Sequence, residues 1–223
     1  MFTLLDSDAE TGFELLEVRA AGVAPAGFLS NDPRVVTVAN TLDDLLVHQV
    51  WRVDGATGDI TKQGSLVQSL DVGGLTIASA PVRAFEDEIL APRYVATAYR
   101  FADTVRIRFY SVSGAGSIQA EGAPTDTGED LTGVRLTSFL PNGLLLTARQ
   151  GDGSTRLLVH DLQRSTTGDV KPLRIAEHVS LAGSDFEPCR QATAHATADA
   201  LVARRSNAGA LVVAQYRIGD LPY

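Results

Sequence analysis

Cysteine is almost missing from this chain of 223 residues: Cys189 is the single one, so no disulfide can form within it and no cysteine-based zinc site can be assembled. Basic residues are scarce as well. Nineteen Lys and Arg face 27 Asp and Glu, and a formal charge of −8 argues against the basic surface with which nucleic-acid binders displace counterions from phosphates. Long apolar runs are also lacking. The N-terminal MFTLLDSDAE has no basic region and no apolar core of signal-peptide length, and nothing later approaches a membrane span. Neither nucleic acid nor membrane is therefore an expected partner, and a complete gene product of this kind would most simply be cytoplasmic. The common catalytic signatures are missing too: there is no G-x-S-x-G, no H-E-x-x-H, no Walker A loop and no G-x-G-x-x-G after a strand. No cofactor or metal is expected. Finally, no segment sustains a helical period over three turns.

What is present is a repeat. Hydrophobic residues make up 44% of the chain and charged ones 21%, enough apolar material to bury a core in a single domain covering 1–223. Four segments align, beginning at Arg34, Arg93, Gly143 and Ala200. In each, an apolar run ends in a polar residue, a turn rich in Asp, Gly or Asn follows, and a second apolar run leads to another turn. That is a strand, hairpin, strand pattern. Trp51, Tyr110, His160 and Tyr216 fall at equivalent positions of the second strand, and the aromatic three, Trp51, Tyr110 and Tyr216, are expected to pack between neighbouring units. Their spacing of 59, 50 and 56 residues suits four-stranded units. Labelling the strands of a unit A to D from the inside outwards, DITKQGSLV, SIQAEGA and KPLRIAEHVSL become D strands. LTIASAP, LTGVRLTSFL and CRQATAHA become the A strands that follow. The repeats then run roughly over 22–70, 71–122, 130–183 and 184–223, with N-terminal strands in 1–21.

DSDAETGFELLE, Asp6 to Glu17, spaces its carboxylates almost as a twelve-residue calcium loop does. The repeat explains this spacing without a metal. DSDAETGFELL aligns with RVDGATGDITK and LQRSTTGDVKP, and each carries a Thr-Gly pair ending a short turn. Glycine supplies the left-handed residue of a bulged hairpin there, and Asp or Ser caps the first amide. The calcium loop also needs glycine at its sixth position, where Thr11 stands, and FELLEVRA reads as a D strand.

The stretch VWRVDGATGDIT, Val50 to Thr61, with RFYSVSGAGSI and LVVAQYRI as weaker copies, resembles β-propeller units of the sugar-lactonase and quinoprotein-like kind. The resemblance implies an all-β propeller of about four blades, each of four antiparallel strands, and carries no particular reaction. Two closures fit the strand count. FELLEVRA could complete the C-terminal A, B and C strands into a ring of four, or the propeller could be incomplete, either a fragment of a longer protein or half of a ring completed by a second chain. The incomplete form is expected, because open blades expose apolar faces that favour association with a protein partner or a second copy.

Candidate functional residues follow from the meander. Successive connections alternate ends, so B–C and D–A loops share one face of the propeller. On that face the sequence places Asp43, Asp44, Asp103 and Asp152 in B–C loops. Asp71, Asp126, Glu129, Asp130, Asp185 and Glu187 fall in D–A loops. An acidic face of this kind attracts a cation or a basic partner. His195 and Cys189, on a predicted inner strand, are the candidates for the channel. His48 and His160 lie in C strands, where packing explains them, and Arg100, Arg149, Arg204 and Arg205 end B strands, where they would pair with neighbouring acids. Two functions stay open: a non-catalytic binding or assembly propeller, and a lactonase-like hydrolase at the channel mouth. The hydrolase requires His195, Asp185 and Glu187 to converge on one cavity.

Overall fold

The computed structural model describes residues 15–23, 34–69, 77–82, 94–139, 143–150, 154–164, 166, 170–180, 183–191, 198–206 and 208–218, and all their regular structure is β-strand. The first sheet contains β1 (Leu15–Val23), β2 (Arg34–Thr41), β3 (Leu45–Val53) and β4 (Ile60–Ser69). The second holds β5 (Ile77–Val82), β6 (Tyr94–Phe101), β7 (Thr104–Val112) and β8 (Ile118–Asp126). The third is β9 (Leu131–Phe139), β10 (Gly143–Gln150), β11 (Thr155–Arg164) and β12 (Val170–Ser180), and the fourth is β13 (Gly183–Gln191), β14 (Ala198–Ser206) and β15 (Leu211–Ile218). Within each sheet the strands pair antiparallel in chain order. The innermost strands pack in succession, β1 on β5, β5 on β9 and β9 on β13.

Strand alternation builds the cores between sheets. In β6, Val95 and Tyr99 face the first sheet, while Ala96 and Ala98 face the third. In β7, Tyr110 and Val112 join the first cluster, whereas Val105, Ile107 and Phe109 join the second. The second sheet is thus buried on both sides. Each Val, Leu or Phe so buried contributes about 1.5–3 kcal/mol, which makes these two seams the main source of stability.

A bulge recurs in the outer strand pair of each four-stranded sheet: between Val50 and Trp51, between Ile107 and Phe109, and between Val159 and His160. An extra residue on one strand raises the local twist, and strongly twisted sheets are what radial packing requires. Tyr110 is fully buried between the first two sheets, as its repeat position leads one to expect. Trp51 is not between them. It is half-buried on the opposite face of the first sheet, where its indole Nε1 donates to Thr37 Oγ1 at 2.9 Å. The side chain of Tyr216 lies outside the described residues.

The turn chemistry expected of the repeat is visible in two C–D turns. Asp54 Oδ1 accepts from the amides of Ala56 (2.8 Å) and Thr57 (3.0 Å), and Gly58 takes a φ of 82° before β4 begins. These amide bonds, Thr57's first, hold the Asp54 carboxyl below its usual range. In the second sheet Ser113 does the capping: its Oγ accepts from Ser117 N at 3.1 Å, and Gly116 takes a φ of 84°. The two sheets also touch at this level. A Cβ on Gly64, in β4, would lie 2.6 Å from the carbonyl oxygen of Gly116, so only glycine permits the backbones to approach this closely.

Two sequence assignments are corrected. Leu15–Val23, the core of FELLEVRA, is the innermost strand of the first sheet, paired with β2 along its length, and not a D strand closing the last blade. Apolar alternation alone does not tell an inner from an outer strand. The inner strand of the fourth sheet is Gly183–Gln191, several residues earlier than CRQATAHA. Its Asp and Pro read as turn formers, yet β13 borders the sheet, where Pro188 is tolerated, and a register shift between Ser184 and Glu187 absorbs the irregularity. Residues 1–14, which hold most of DSDAETGFELLE and the leading MFTLLDS, lie outside the described residues.

Candidate binding site on the axis

Because every sheet presents its first strand inwards, residues of β1, β5 and β9 meet at the centre. Arg19 and Ala20, Ala78 and Ser79, and Arg135 and Leu136 line a half-open cleft of about 380 Å³ there. Backbone pairing fixes each contribution. Arg19 stands opposite Val38, Ser79 opposite Thr97, and Arg135 opposite Thr147 in their ladders. Arg135 Nη1 donates to Val134 O at 3.0 Å, which anchors one side of its guanidinium. Ser79 Oγ is buried without a hydrogen-bond partner among the described residues. The cleft therefore combines cationic donors, a hydroxyl with unused capacity and short aliphatic walls on rigid strands.

Behind Ser79 lies a polar seam between the first two sheets. The Thr97 hydroxyl is 3.0 Å from His48 Nε2, and the imidazole rests against the Tyr110 ring with centroids 3.9 Å apart. Tyr110 Oη in turn donates to Gln68 Oε1 at 2.8 Å. Burial, aided by the charge of Arg108, pushes the His48 pKa from 6.5 to about 3, so the ring is neutral at physiological pH. Burial likewise raises Tyr110 far above the usual phenol range. His48 and His160 are buried strand residues, consistent with packing roles.

Among the described acids of the B–C and D–A connections, strand-end arginines stand against several. Asp43 and Asp44 are exposed in the β2–β3 turn, where Asp44 adopts a left-handed φ of 55°. Asp103 occupies the β6–β7 turn, 3.8 Å from Arg100, whose guanidinium also meets Asp130 at 3.0 Å. Arg156 reaches Glu129 at 3.5 Å, linking the third sheet to the connection that precedes it. Asp126, at the end of β8, is contacted by Arg106 Nε at 3.4 Å, Thr104 Oγ1 at 2.9 Å and the Gly128 amide at 2.8 Å. Partial burial works to raise the Asp126 pKa, but these bonds and the Arg106 charge outweigh it and leave the carboxyl below its usual range.

The remaining candidates separate. Asp185 and Glu187 belong to strand β13 and not to a loop, and Cys189 sits near the end of that strand and not at its start. The side chains of all three lie outside the described residues, as do Asp71, Asp152 and His195 in full. The convergence of His195 with Asp185 and Glu187 is thus outside them too. Arg19, Ser79 and Arg135 escaped the sequence reading. Arg19 sat in a stretch taken as an outer strand, but Val134, Arg135 and Leu136 carried a usable signal: an arginine between apolar residues on a predicted inner strand.

No family model matches the sequence, and comparison with curated proteins finds no significant relative. Solved structures do match. A fungal lectin from Aleuria aurantia, described as a six-bladed β-propeller with a novel fucose recognition mode, is 17% identical, with a TM-score of 0.51 over 92% of this chain. A mutant of that lectin in complex with α-methyl-L-fucoside gives 15% identity and a TM-score of 0.52 over 91%, and its complex with Fucα1-6GlcNAc gives the same values. The fold is a β-propeller. This chain spans 62% of the length of each of these lectins. Its four sheets form a partial propeller by comparison, and the strong packing contacts among the described residues join each sheet to the next without linking the fourth to the first. The neighbours are lectins, whereas the repeat resembled lactonase-type units.

Proposed function

We propose that this chain is a non-catalytic binding propeller and that its ligand is a carbohydrate held in the axial cleft. The observation that carries the proposal is the lining of that cleft: Arg19, Arg135 and Ser79 offer hydrogen-bond donors, while Ala20, Ala78 and Leu136 offer apolar wall. A sugar presents hydroxyl acceptors on one side and C–H surface on another, so the two match. A volume of about 380 Å³ falls within the roughly 300–1,000 Å³ usual for small-molecule sites. The likeness to propeller lectins, two of them in complex with fucosides, supports the ligand class. The test is calorimetry with a panel of neutral and acidic monosaccharides. Binding that weakens at least tenfold in Arg135→Gln is expected, and a panel without any binder overturns the proposal.

The acidic loop face supports a binding role less strongly than the cleft does, because Arg100, Arg106 and Arg156 stand against Asp103, Asp126, Asp130 and Glu129. Asp43 and Asp44 remain its exposed acids, and a basic partner docking there would bind more weakly as salt is raised. A lactonase-like hydrolase would need an acid–base pair at the channel. The described lining of the cleft supplies arginines and a serine instead. A second copy of the chain is the partner we favour for the outer edge of the fourth sheet, where β15 is the border strand and exposes Leu211 and Val213. Sedimentation at rising concentration tests this: association is expected, and Leu211→Glu with Val213→Glu should abolish it. A monomer at every concentration would exclude it.

A further inference from the structure

We infer that a second copy of this chain docks on the fourth sheet head to tail, laying the Trp51 face of its own first sheet over Leu211 and Val213; this rests on a second copy being the partner of that sheet. The internal repeat says what the two residues are placed to do. Counting back five and three residues from Trp51, Tyr110 and His160 reaches Leu46 and His48, Val105 and Ile107, and Thr155 and Leu157. All six are buried, none more than 3% exposed. The same count from Tyr216 reaches Leu211 and Val213, which are 77% and 59% exposed. The ladders confirm the equivalence, since Leu211 pairs with Arg205 as Val105 pairs with Arg100. Leu46 is covered by the second sheet, and Val105 and Ile107 are covered by the third. Leu211 and Val213 therefore form the face on which a following blade would lie, and paired apolar exposure of this kind marks a contact surface.

The first sheet presents the other half of such a seam. Val95 and Tyr110, cross-strand partners in the second sheet, fill the seam with the first from the following side. Val35 and Trp51 hold the same ladder positions in the first sheet, and both are only partly buried. Val67 of β4 shares their face, because its neighbours Leu66 and Gln68 turn to the second sheet, and it is 46% exposed. Its strand has the reach this requires. In the second sheet β8 holds the place of β4, and it packs across the seam on β3, whose place in the fourth sheet is taken by β15. One molecule thus carries, on its first and fourth sheets, the two sides of a contact it already makes within itself. Two different faces that match give a heterologous contact, in which each copy offers a head and a tail.

Sedimentation of the full chain at rising concentration, read together with fluorescence, tests the arrangement. Trp51 is the single tryptophan, so its emission reports on the head face and should shift to the blue as copies associate. Leu211→Glu with Val213→Glu removes the tail, Val67→Glu spoils the head, and each variant alone should associate at least tenfold more weakly than wild type. Mixed in equal amounts, the two should form a one-to-one pair, because each supplies the half that the other has lost. Should the glutamates unfold the sheet, Leu211→Ser with Val213→Ser serves as the milder tail variant. A Val67→Glu protein that associates like wild type, with no rescue on mixing, would overturn head-to-tail docking while leaving the second copy as the partner. A monomer at every concentration would overturn both.

Discussion

The buried His48 makes the seam between the first two blades a pH-sensitive element whose effect can be calculated. In the folded chain its pKa is about 3, against 6.5 for an accessible imidazole. Below 6.5 the unfolded chain therefore takes up a proton that the folded chain refuses, and stability is lost as pH falls from about 6.5 towards 3. Each unit of pKa difference is worth about 1.4 kcal/mol. Lowering the pH from 7 to 5 should then cost about 2 kcal/mol, and the loss should reach about 3 kcal/mol at pH 4. Carboxylates such as Asp126 and Asp54, held below their usual range, add losses of the same sign at lower pH, so between 7 and 5 the change comes chiefly from imidazoles, His48 being one of four histidines. Urea denaturation at a series of pH values measures the slope. His48→Gln provides the reference, since an amide can still bond to Thr97 but cannot titrate in this range. The variant should lose the share of the slope between pH 7 and 5 that His48 contributes, about 2 kcal/mol, whatever its absolute stability. Parallel pH profiles for the two proteins would refute the reasoning and place a charged His48 in the folded seam.

Gly64→Ala should destabilise by about 1–3 kcal/mol because its Cβ would meet backbone at Gly116, whereas Gly114→Ala, with open space around it, should be near neutral by denaturant melts. Tyr110→Ala should cost about 3–5 kcal/mol, since the ring is fully buried and its hydroxyl holds Gln68. Trp51→Ala should cost less than Tyr110→Ala, roughly 1–3 kcal/mol, because the indole is only partly buried and chiefly its bond to Thr37 is lost. Arg156→Gln should lower stability by about 1–3 kcal/mol through the poorly exposed Glu129 it leaves behind, and Glu129→Gln in the same background should recover part of that loss.

Most of the propeller was legible because strand and turn chemistry are local. The Asp54 cap and the left-handed Gly58 follow from five consecutive residues, and the same signature recurs at Ser113 and Gly116. Position within a sheet is not local. FELLEVRA alternates like any half-buried strand, and its place on the axis is set by pairing with β2, some twenty residues away. Which face is covered is likewise not local. Trp51 and Tyr110 align in the repeat and take the same face of their sheets, but that face of the second sheet packs on the first, whereas no strong packing contact among the described residues covers that face of the first. The candidate site suffers from the same limit: Arg19, Ser79 and Arg135 come from three strands that are neighbours only after the blades have stacked.

Charge shows most clearly what stacking adds. Sorting loops by face leads to the expectation of acids at one end of the propeller, but a list of loop residues omits the strands beneath them. Arg100 and Arg106 start from the hairpin of the second sheet and reach Asp130 and Asp126 in the connection to the third, while Arg156 reaches back from the third sheet to Glu129. Backbone bonds lock the two segments together, with Val105 N donating to Glu129 O at 3.2 Å and Thr127 N donating to Val105 O at 2.9 Å. These partly exposed pairs are individually worth little in water, but they fix how one blade follows the next.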